Sequence, residues 1–185
     1  GLVGSEMCIR DSTGAVAAHR GHHRPHADDT VRDGIEAFLV PIQEKGEDPD
    51  TVIAPRTSRW LQDGDVLVPR IAHLPARVFT GDGHKWVAPT GVTVVEITDS
   101  SLDPTYLADC INASFNEPAD LGMALRYRDF TYLEIPILEP EVQQQVLHTL
   151  AQLERMREIA AALTHQAKAT KNAFLNVCLL YTSPS

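Results

Sequence analysis

The sequence predicts an α+β protein: a small, mostly β domain with short helices, followed by one long C-terminal helix that forms a coiled coil. Three observations lead to this prediction. Short segments rich in β-branched residues recur about every ten residues between positions 60 and 97, separated by turn residues. A helical apolar pattern follows near residue 104. From Pro140 to Phe174 the chain has no further glycine or proline, which favours one extended helix.

The composition indicates a folded, soluble chain. Its 185 residues, of which 43% are hydrophobic, are enough for one domain and an extended helix. No apolar run approaches the length of a membrane span and no signal-peptide pattern is present, so a cytoplasmic protein without membrane contact is expected. Among the 3 cysteines, only Cys110 lies away from the chain ends, so no disulfide is expected and this thiol is predicted to pack.

Both ends of the chain are set aside from the fold prediction. Residues 1–12 and 177–185 resemble translated sequencing-adapter fragments, which would carry no structural information. Residues 13–37 are interpreted as a truncated lead-in, 38–135 as the β-rich domain and 136–176 as the long helix.

The lead-in contains a histidine-rich stretch, HRGHHRPH. Histidines this close together suggest a metal site. However, no cysteine accompanies them and no carboxylate is placed to orient the imidazoles. A mobile lead-in without a metal is therefore the preferred interpretation. The histidines are His19, His22, His23 and His26.

The β-rich domain opens with a strand predicted over 35–43, and the charged segment 44–50 is expected to be a loop because it contains glycine and proline. An Asp-Gly pair at 63–64 predicts a turn directly before a strand at 66–68, and Pro69 ends that strand. The acids that flank this glycine are interpreted as turn residues and not as an acid-base pair. Further strands are predicted over 76–80, 85–88 and 92–97.

A helix is predicted from about Pro104, because proline is tolerated in a first helical turn and the apolar residues after it share one face. That face comprises Tyr106, Leu107, Cys110 and Ile111. The segment 122–130 is expected to be a connecting loop, and it contains Arg126 and Arg128.

The long helix is predicted to begin near Pro140, where a proline costs little. Apolar and small residues along it are spaced alternately three and four apart, the pattern of a coiled-coil seam. Its small residues bury little area each, so the helix needs a partner helix to be stable in water. The seam comprises Val146, Leu150, Leu153, Met156, Ala160, Leu163, Ala167, Thr170 and Phe174.

The net charge of −9 is unfavourable for a nucleic-acid-binding protein. The charges are unevenly distributed, however. Eight acidic residues lie between Asp28 and Asp50, whereas the segment 54–90 has five cationic and three acidic residues, a local balance of +2. A cationic region therefore coincides with the predicted strands.

Three motifs follow one another along the chain: DGDVLVPR at 63–70, LDPTYLADCINA at 102–113 and LEIPILEPEVQQQV at 133–146. They resemble, in order and spacing, one half of the specificity subunit of type I restriction-modification systems. The family patterns are a GD-I/V-L-V-x-R strand, a P-x-Y-L-x-x-x-L-N-S helix and an I-P-x-P-P-x-x-E-Q-x-x-I entry into a spacer helix. Gln143 stands where that family has its glutamine, and the resemblance covers residues 38–174.

The chain departs from the family pattern at the proline pair, which Leu138 and Glu139 separate here, and at Ala113, where serine is usual. A full specificity subunit has two recognition domains and two spacer helices, whereas this sequence has one of each. The resemblance therefore implies either a fragment or a half-subunit that dimerises.

The resemblance also implies that the protein performs no catalysis itself. Proteins of this family bind a short double-stranded DNA sequence and bring modification subunits to an adenine, which those subunits methylate, while motor subunits translocate and cut the DNA. The sequence has no phosphate-binding loop, dinucleotide fingerprint, zinc spacing or methyltransferase motif. No cofactor is expected in this chain; S-adenosylmethionine, ATP and Mg²⁺ are expected only in partner subunits.

DNA recognition requires cations on phosphates and a few side chains that read base edges. Cations of the β-rich domain are the candidates for both roles, and an arginine among them is suited to pair with guanine. Trp60 and Trp86 are expected to pack in the core and not to stack on bases. The candidate DNA contacts are Arg70, Arg77, Lys85, Arg56, Arg59, Arg126 and Arg128.

Two other interpretations remain open. A coiled-coil adaptor whose β-rich domain binds a protein ligand would suit the acidic balance better, and an enzyme fragment would need catalytic motifs outside this sequence. DNA binding that weakens steeply with salt distinguishes DNA recognition from the adaptor. Cations off the helix seam are expected to form a solvated face or to contact modification subunits; these are Arg155, Arg157, Lys168 and Lys171.

Overall fold

Seven strands and two helices are present in the computed structural model, which describes residues 14–24, 33–43, 48–71, 74–115 and 135–182. The strands are β1 (Val16–Arg20), β2 (Gly34–Leu39), β3 (Thr51–Pro55), β4 (Val66–Pro69), β5 (Arg77–Val78), β6 (Trp86–Val87) and β7 (Val92–Ile97). The helices are α1 (Pro104–Phe115) and α2 (Pro140–Thr182). The chain divides into two compact units, residues 1–143 and 144–185. A mostly β region followed by a long helix confirms the predicted α+β class.

Two sheets make up the β-rich region. The larger has the order β1-β7-β4-β5, with each neighbouring pair antiparallel, and the smaller has the order β3-β2-β6, in which β2 and β6 are parallel. β7 lies in the interior of the larger sheet, and its first four side chains are buried. Its bounds confirm the strand predicted over 92–97, because a run of β-branched residues suits a strand with neighbours on both sides.

Two groups of apolar side chains form the core. Trp86 packs against the first group and Trp60 against the second, in agreement with the core role expected for both. α1 packs against β4 and β5, and its Leu107 and Ile111 are fully buried, as the apolar pattern predicted. The first group is Val40, Leu61, Leu67, Phe79, Ala88, Val92 and Val94; the second is Ala37, Leu39, Val52, Ala54 and Val87.

The interpretation of the histidine-rich stretch and the residues around it as a mobile lead-in is wrong for residues 16–20. All five residues of β1 pair with β7. The sequence of β1, VAAHR, has little intrinsic strand preference. Its conformation instead follows from pairing with a strongly β-forming neighbour, a context that outweighs local propensity.

The other predicted strands are present at the predicted positions, but most of them are shorter than predicted. The strand predicted over 35–43 ends at Leu39, and those predicted over 76–80 and 85–88 are two residues long each. β3 was not predicted, although its alternation of exposed and buried residues is typical of a strand with one face in the core. It follows an acidic, proline-containing segment, which concealed its start.

α2 begins at Pro140, in agreement with the tolerance of proline in a first turn. It continues beyond the predicted end at residue 176 as far as Thr182, because the next helix-breaking residue is Pro184. The loop predicted over 122–130 lies outside the described residues. In the part of the chain that the structure describes, no helix combines the length and apolar content needed to cross a membrane.

Gly21 follows β1 where the chain passes close to the backbone that precedes β7. Its N–H donates to the Val92 carbonyl at 2.8 Å, and a Cβ at this position would lie 2.2 Å from the carbonyl oxygen of Pro89. We expect Gly21→Ala to lower the free energy of unfolding by about 1 to 3 kcal/mol, because backbone movement alone can relieve this overpacking. Urea unfolding followed by circular dichroism measures the change.

Gly81→Ala is the matched control for this prediction. The atom nearest to its added Cβ is a carboxylate oxygen of Asp63 at 3.1 Å, which a small side-chain rotation can move. The loss of stability should therefore be smaller than for Gly21→Ala. Equal losses in the two variants would show that the backbone contact at Gly21 is not limiting.

Candidate nucleic-acid interface

Arg59, one of the predicted DNA contacts, is held by two carboxylates. Its Nη1 and Nη2 atoms donate to the two carboxylate oxygens of Asp65, each at 2.8 Å, and Nη2 lies 3.2 Å from Oε2 of Glu96. Asp65 is 4% exposed and also accepts the N–H of Gln62. Nε2 of His19 contacts the same Glu96 oxygen at 2.9 Å. The guanidinium of Arg59 is therefore part of the fold.

Burial and charge act in opposite directions on this ion cluster. Burial alone would lower the pKa of Arg59, but the hydrogen bonds and charges of Asp65 and then Glu96 outweigh it and raise that pKa. Burial also disfavours the ionised form of Glu96, yet the hydrogen bonds from Arg59 and His19 lower its pKa. Arg59 and Glu96 are consequently both ionised at neutral pH and form an ion pair.

Arg77, the first residue of β5, is also used by the fold. Its Nη1 donates to the carbonyl of Ile42 at 3.1 Å, and its Nη2 donates to the carbonyl of Pro41. These bonds tie β5 to the segment that follows β2. They occupy part of the five N–H donors of the guanidinium, so a DNA contact by Arg77 would compete with the fold.

Lys85, in the turn before β6, lies beside an aromatic ring and an acid. Its Nζ is 5.2 Å from the ring centroid of Trp60. Asp82 in the same turn accepts hydrogen bonds from Nε1 of Trp86 at 2.8 Å and from the N–H of His84 at 3.0 Å. These bonds, that of Trp86 first, lower the pKa of Asp82 to about 2. A permanent negative charge in this turn reduces its attraction for a phosphate.

The other described candidates, Arg56 and Arg70, are exposed on different sheets. Arg56 follows β3 in the smaller sheet. Arg70 follows β4 in the larger sheet, and its N–H donates to the carbonyl of Gly91 at 2.8 Å. Arg126 and Arg128 lie outside the described residues. The candidates that the structure describes are thus spread over both sheets.

Two arginines that the sequence analysis did not select lie at the same end of the larger sheet as Arg70. β1 ends at Arg20, β4 ends one residue before Arg70, and both strands pair with β7. Arg24 follows in the histidine-rich stretch. Their only signal in the sequence was positive charge, since the pairing of β1 with β7 could not be inferred from it.

The side chains around the histidine-rich stretch differ from those of a metal site. Among the residues that the structure describes, no group of three or more His, Cys, Asp or Glu side chains could hold a metal ion. Nε2 of His23 is buried, with no hydrogen-bond partner in the described part of the chain. Burial, followed by the charge of His22, lowers the pKa of His23, so this imidazole is neutral at pH 7. His26 lies outside the described ranges.

Gln143, in the first turn of α2, is completely buried. Its Oε1 accepts the N–H of Asp103 at 2.8 Å. Its Nε2 donates to the carbonyls of Ser101 and Leu138, at 2.8 and 2.7 Å. We call these four residues the Gln143 junction. All of the strong hydrogen-bonding positions of the amide group except one acceptor site are used there.

The junction continues into α1 through Asp103. The Oδ1 atom of this residue accepts the N–H groups of Thr105 and Tyr106, at 2.8 and 3.0 Å, which makes Asp103 the N-cap of α1. Tyr106 donates its hydroxyl to the carbonyl of Pro136 at 2.9 Å, and burial raises the pKa of this phenol to about 12. The second and third sequence motifs therefore meet in one hydrogen-bond network.

The predicted seam of α2 is largely exposed in this chain. Leu153 and Leu163 are 56% and 61% exposed, and Met156 and Phe174 are 65% and 68% exposed. Val146 is half-buried. Leu150, Ala160, Ala167 and Thr170 are also exposed. The large apolar side chains of the predicted seam thus form an exposed row along α2, and its contact with another helix stays a prediction.

The fold is similar to that of a solved HsdS subunit. The crystal structure of HsdS from Thermoanaerobacter tengcongensis matches with a TM-score of 0.52 and 15% sequence identity, over 77% of this chain and 36% of that chain. A structure described as the structural basis underlying complex assembly and conformational transition of the type I R-M system matches with a TM-score of 0.48 and 19% identity, over 89% and 41%. A scan against family models and a search of curated proteins found no match.

The likeness to HsdS, at this level of identity, is a likeness of fold. The chain spans about a third of the length of the HsdS chain that it matches. The likeness therefore concerns the kind of fold, a mostly β region and a long helix, and not a role.

Proposed function

We propose that this protein recognises a short double-stranded DNA sequence as the specificity subunit, or part of the specificity subunit, of a type I restriction-modification system in the cytoplasm. The observation that carries the proposal is the HsdS-like fold. The three sequence motifs support it, because they fall on β4, on α1 and on the start of α2. In this proposal the chain directs adenine methylation and cleavage by partner subunits and performs no chemical step.

The structure favours some of the candidate DNA contacts over others. Arg59 and Arg77 are bound to carboxylates or backbone carbonyls, and Lys85 shares its turn with ionised Asp82. An exposed cation is one that a phosphate can reach without a change in the fold. Arg70, exposed at the end of β4, is therefore the candidate of the original set that we place first, with Arg56 after it.

The exposed seam supports the proposed helix partner. In a specificity subunit the partner would be a second spacer helix, either from another part of the same subunit or from a second copy of this chain. Modification subunits would bind the assembled complex, and the solvated cations of α2 are candidates for that contact. S-adenosylmethionine, ATP and Mg²⁺ would be bound by partner subunits in this scheme.

The test is a selection from a pool of randomised DNA duplexes, with the full chain alone and with a type I modification subunit added. We expect a short sequence motif to be enriched among the retained duplexes. Affinity for that motif, measured by fluorescence anisotropy, should fall as salt rises, because phosphate contacts release counterions. Six phosphate contacts would reduce affinity about 10³-fold between 50 and 200 mM salt.

A random duplex of the same length is the control, since it reports non-specific binding. Equal affinity for both duplexes would contradict sequence recognition. A folded chain that retains no DNA at 50 mM salt would contradict DNA binding altogether. The acidic net charge and the exposed apolar seam would then favour the coiled-coil adaptor, with a protein ligand for the β-rich domain.

A further inference from the structure

Three exposed arginines lie around the start of β7, at one end of the larger sheet. β1 ends at Arg20, which is paired with Thr93 of β7. Arg70 continues from β4 on the other side of β7, with its N–H bonded to the Gly91 carbonyl at 2.8 Å. Two inter-strand spacings across the sheet and two residues along it thus separate the backbones of Arg20 and Arg70, a distance of about 12 Å.

The register relates Arg20 to the end of β4. Thr93 is paired with Arg20 on one side and with Val68 on the other, and directly paired residues point to the same face. Arg70 lies two residues after Val68, where the chain bends, and its N–H bonds to the Gly91 carbonyl on the β7 side. Arg20 and Arg70 therefore lie on either side of β7 at the same end of the sheet.

Arg24 is brought to the same end by the backbone of the histidine-rich stretch. His23 forms a parallel bridge with Pro89, and the N–H of Thr90 donates to the His23 carbonyl at 2.7 Å. These contacts hold the segment along the turn that precedes β7. Arg24, next in the chain, is exposed there. A segment interpreted from sequence as a lead-in thus supplies two of the three arginines.

The charges at the two ends of the strands differ. Asp65, directly before β4, and Glu96, near the end of β7, both lie at the far end, where Arg59 binds them. The near end has the exposed side chains of Arg20, Arg24 and Arg70. Exposed cations attract anions, so an anion approaching the larger sheet meets positive charge at the end where β1 and β4 finish.

A cavity of about 450 Å³ adjoins this end and has a mixed lining. Arg24 and Thr90 line it, but so do Asp48 and Asp50, and the lining imidazole of His23 is neutral at pH 7. Carboxylates inside the cavity disfavour an anion there. The attraction is consequently assigned to the arginines around the start of β7 and not to the cavity.

We propose that Arg20, Arg24 and Arg70, which we call the strand-end surface, contact the phosphates of DNA. The inference rests on the proposed function and deepens it by naming the surface. One DNA strand has a charge every 3.4 Å of helix axis, so cations about 12 Å apart can each contact a different phosphate. Arginine is suited to this contact because its planar fork donates two parallel hydrogen bonds to a phosphate.

The experiment compares the salt dependence of binding for the wild-type chain and the triple variant Arg20→Gln, Arg24→Gln and Arg70→Gln. Each phosphate contact adds about 0.9 to the slope of log affinity against log salt. The triple variant should therefore have a slope smaller by about 2.7. Between 50 and 200 mM salt, its affinity should fall about 40-fold less than that of the wild type. The loss should be the same for the selected motif and a random duplex.

Two further variants separate charge from structure. The triple lysine variant, Arg20→Lys, Arg24→Lys and Arg70→Lys, should retain most of the salt slope, because the positive charges remain. Arg157→Gln on α2, whose side chain is 80% exposed, should leave the slope unchanged. Urea midpoints equal to that of the wild type show that each variant is folded.

The outcomes separate this inference from the proposed function. A glutamine variant that keeps the wild-type slope while the wild type still selects a motif would overturn the strand-end surface alone. A wild-type chain that binds no duplex would overturn the proposed function and this inference together. A reduced slope that the lysine variant restores would support both.

Discussion

Asp65→Ala is expected to destabilise the protein by about 3 kcal/mol, because it removes the buried carboxylate of an ion pair and leaves Arg59 with only the more exposed Glu96. Asp65 is 4% exposed. It accepts hydrogen bonds from Nη1 and Nη2 of Arg59 and from the N–H of Gln62. The estimate is at the lower end of the range for such changes, since a quarter of the Arg59 side chain remains exposed. Urea unfolding monitored by tryptophan fluorescence measures the loss.

Two variants test the cause of this destabilisation. Glu96→Gln should cost less than about 1 kcal/mol, because Glu96 is 43% exposed and water replaces part of its interaction. The double variant Arg59→Met with Asp65→Leu should recover much of the loss, since apolar residues of similar size leave no buried charge. If Asp65→Ala unfolds at the wild-type urea concentration, the ion cluster does not stabilise the fold.

Gln143→Leu is expected to cost about 3 kcal/mol or more. Leucine has a similar volume but removes the acceptor of the Asp103 N–H and the donor to the Ser101 and Leu138 carbonyls. Each buried polar group left without a partner costs about 1 to 3 kcal/mol. The urea midpoint should fall. The helix signal in circular dichroism should decrease as well, because Asp103 is the N-cap of α1.

Gln145→Leu is the matched control, because Gln145 is exposed in the next turn of the same helix, and its stability should change by less than about 0.5 kcal/mol. Gln143→Glu keeps an acceptor but places a carboxylate against two carbonyls. Burial raises the folded-state pKa of such a group, so its penalty should be present at neutral pH and decrease as pH falls. A Glu variant as stable as the wild type at pH 7 would contradict the donor role of Gln143.

Local features of the fold could be predicted because each depends on neighbours in the sequence. The Asp-Gly turn is present, with Gly64 at a φ of +89°, and β4 follows it directly. The run of β-branched residues over Val92–Ile97 is a central strand, and α1 buries the predicted apolar face. Proline in a first turn marked the starts of both helices.

The role of each candidate cation was harder to predict than the local fold. A cation can be bound by residues far away in the chain, and the sequence does not show which ones lie next to it. One carboxylate partner of Arg59, Glu96, is 37 positions later, and the partners of Arg77 are 35 and 36 positions earlier. Judged by charge alone, Arg59 and Arg77 were as good candidates for a DNA contact as Arg70. Arg126 and Arg128 lie outside the described residues, so their DNA contact stays a prediction.

The α+β class, the order of β2, β4 to β7 and both helices, the row of apolar residues along α2 and the resemblance to specificity subunits could be read from the sequence, because periodicity, turn chemistry and short motifs are local. Only the tertiary structure decided that β1 belongs to the larger sheet, that Gln143 joins the start of α2 to the cap of α1, and that Arg20, Arg24 and Arg70 lie at one end of that sheet. Strand pairing brings together segments some eighty residues apart, such as Val16 with Ile97. Pairing depends on the burial that the whole chain achieves, which no local pattern contains.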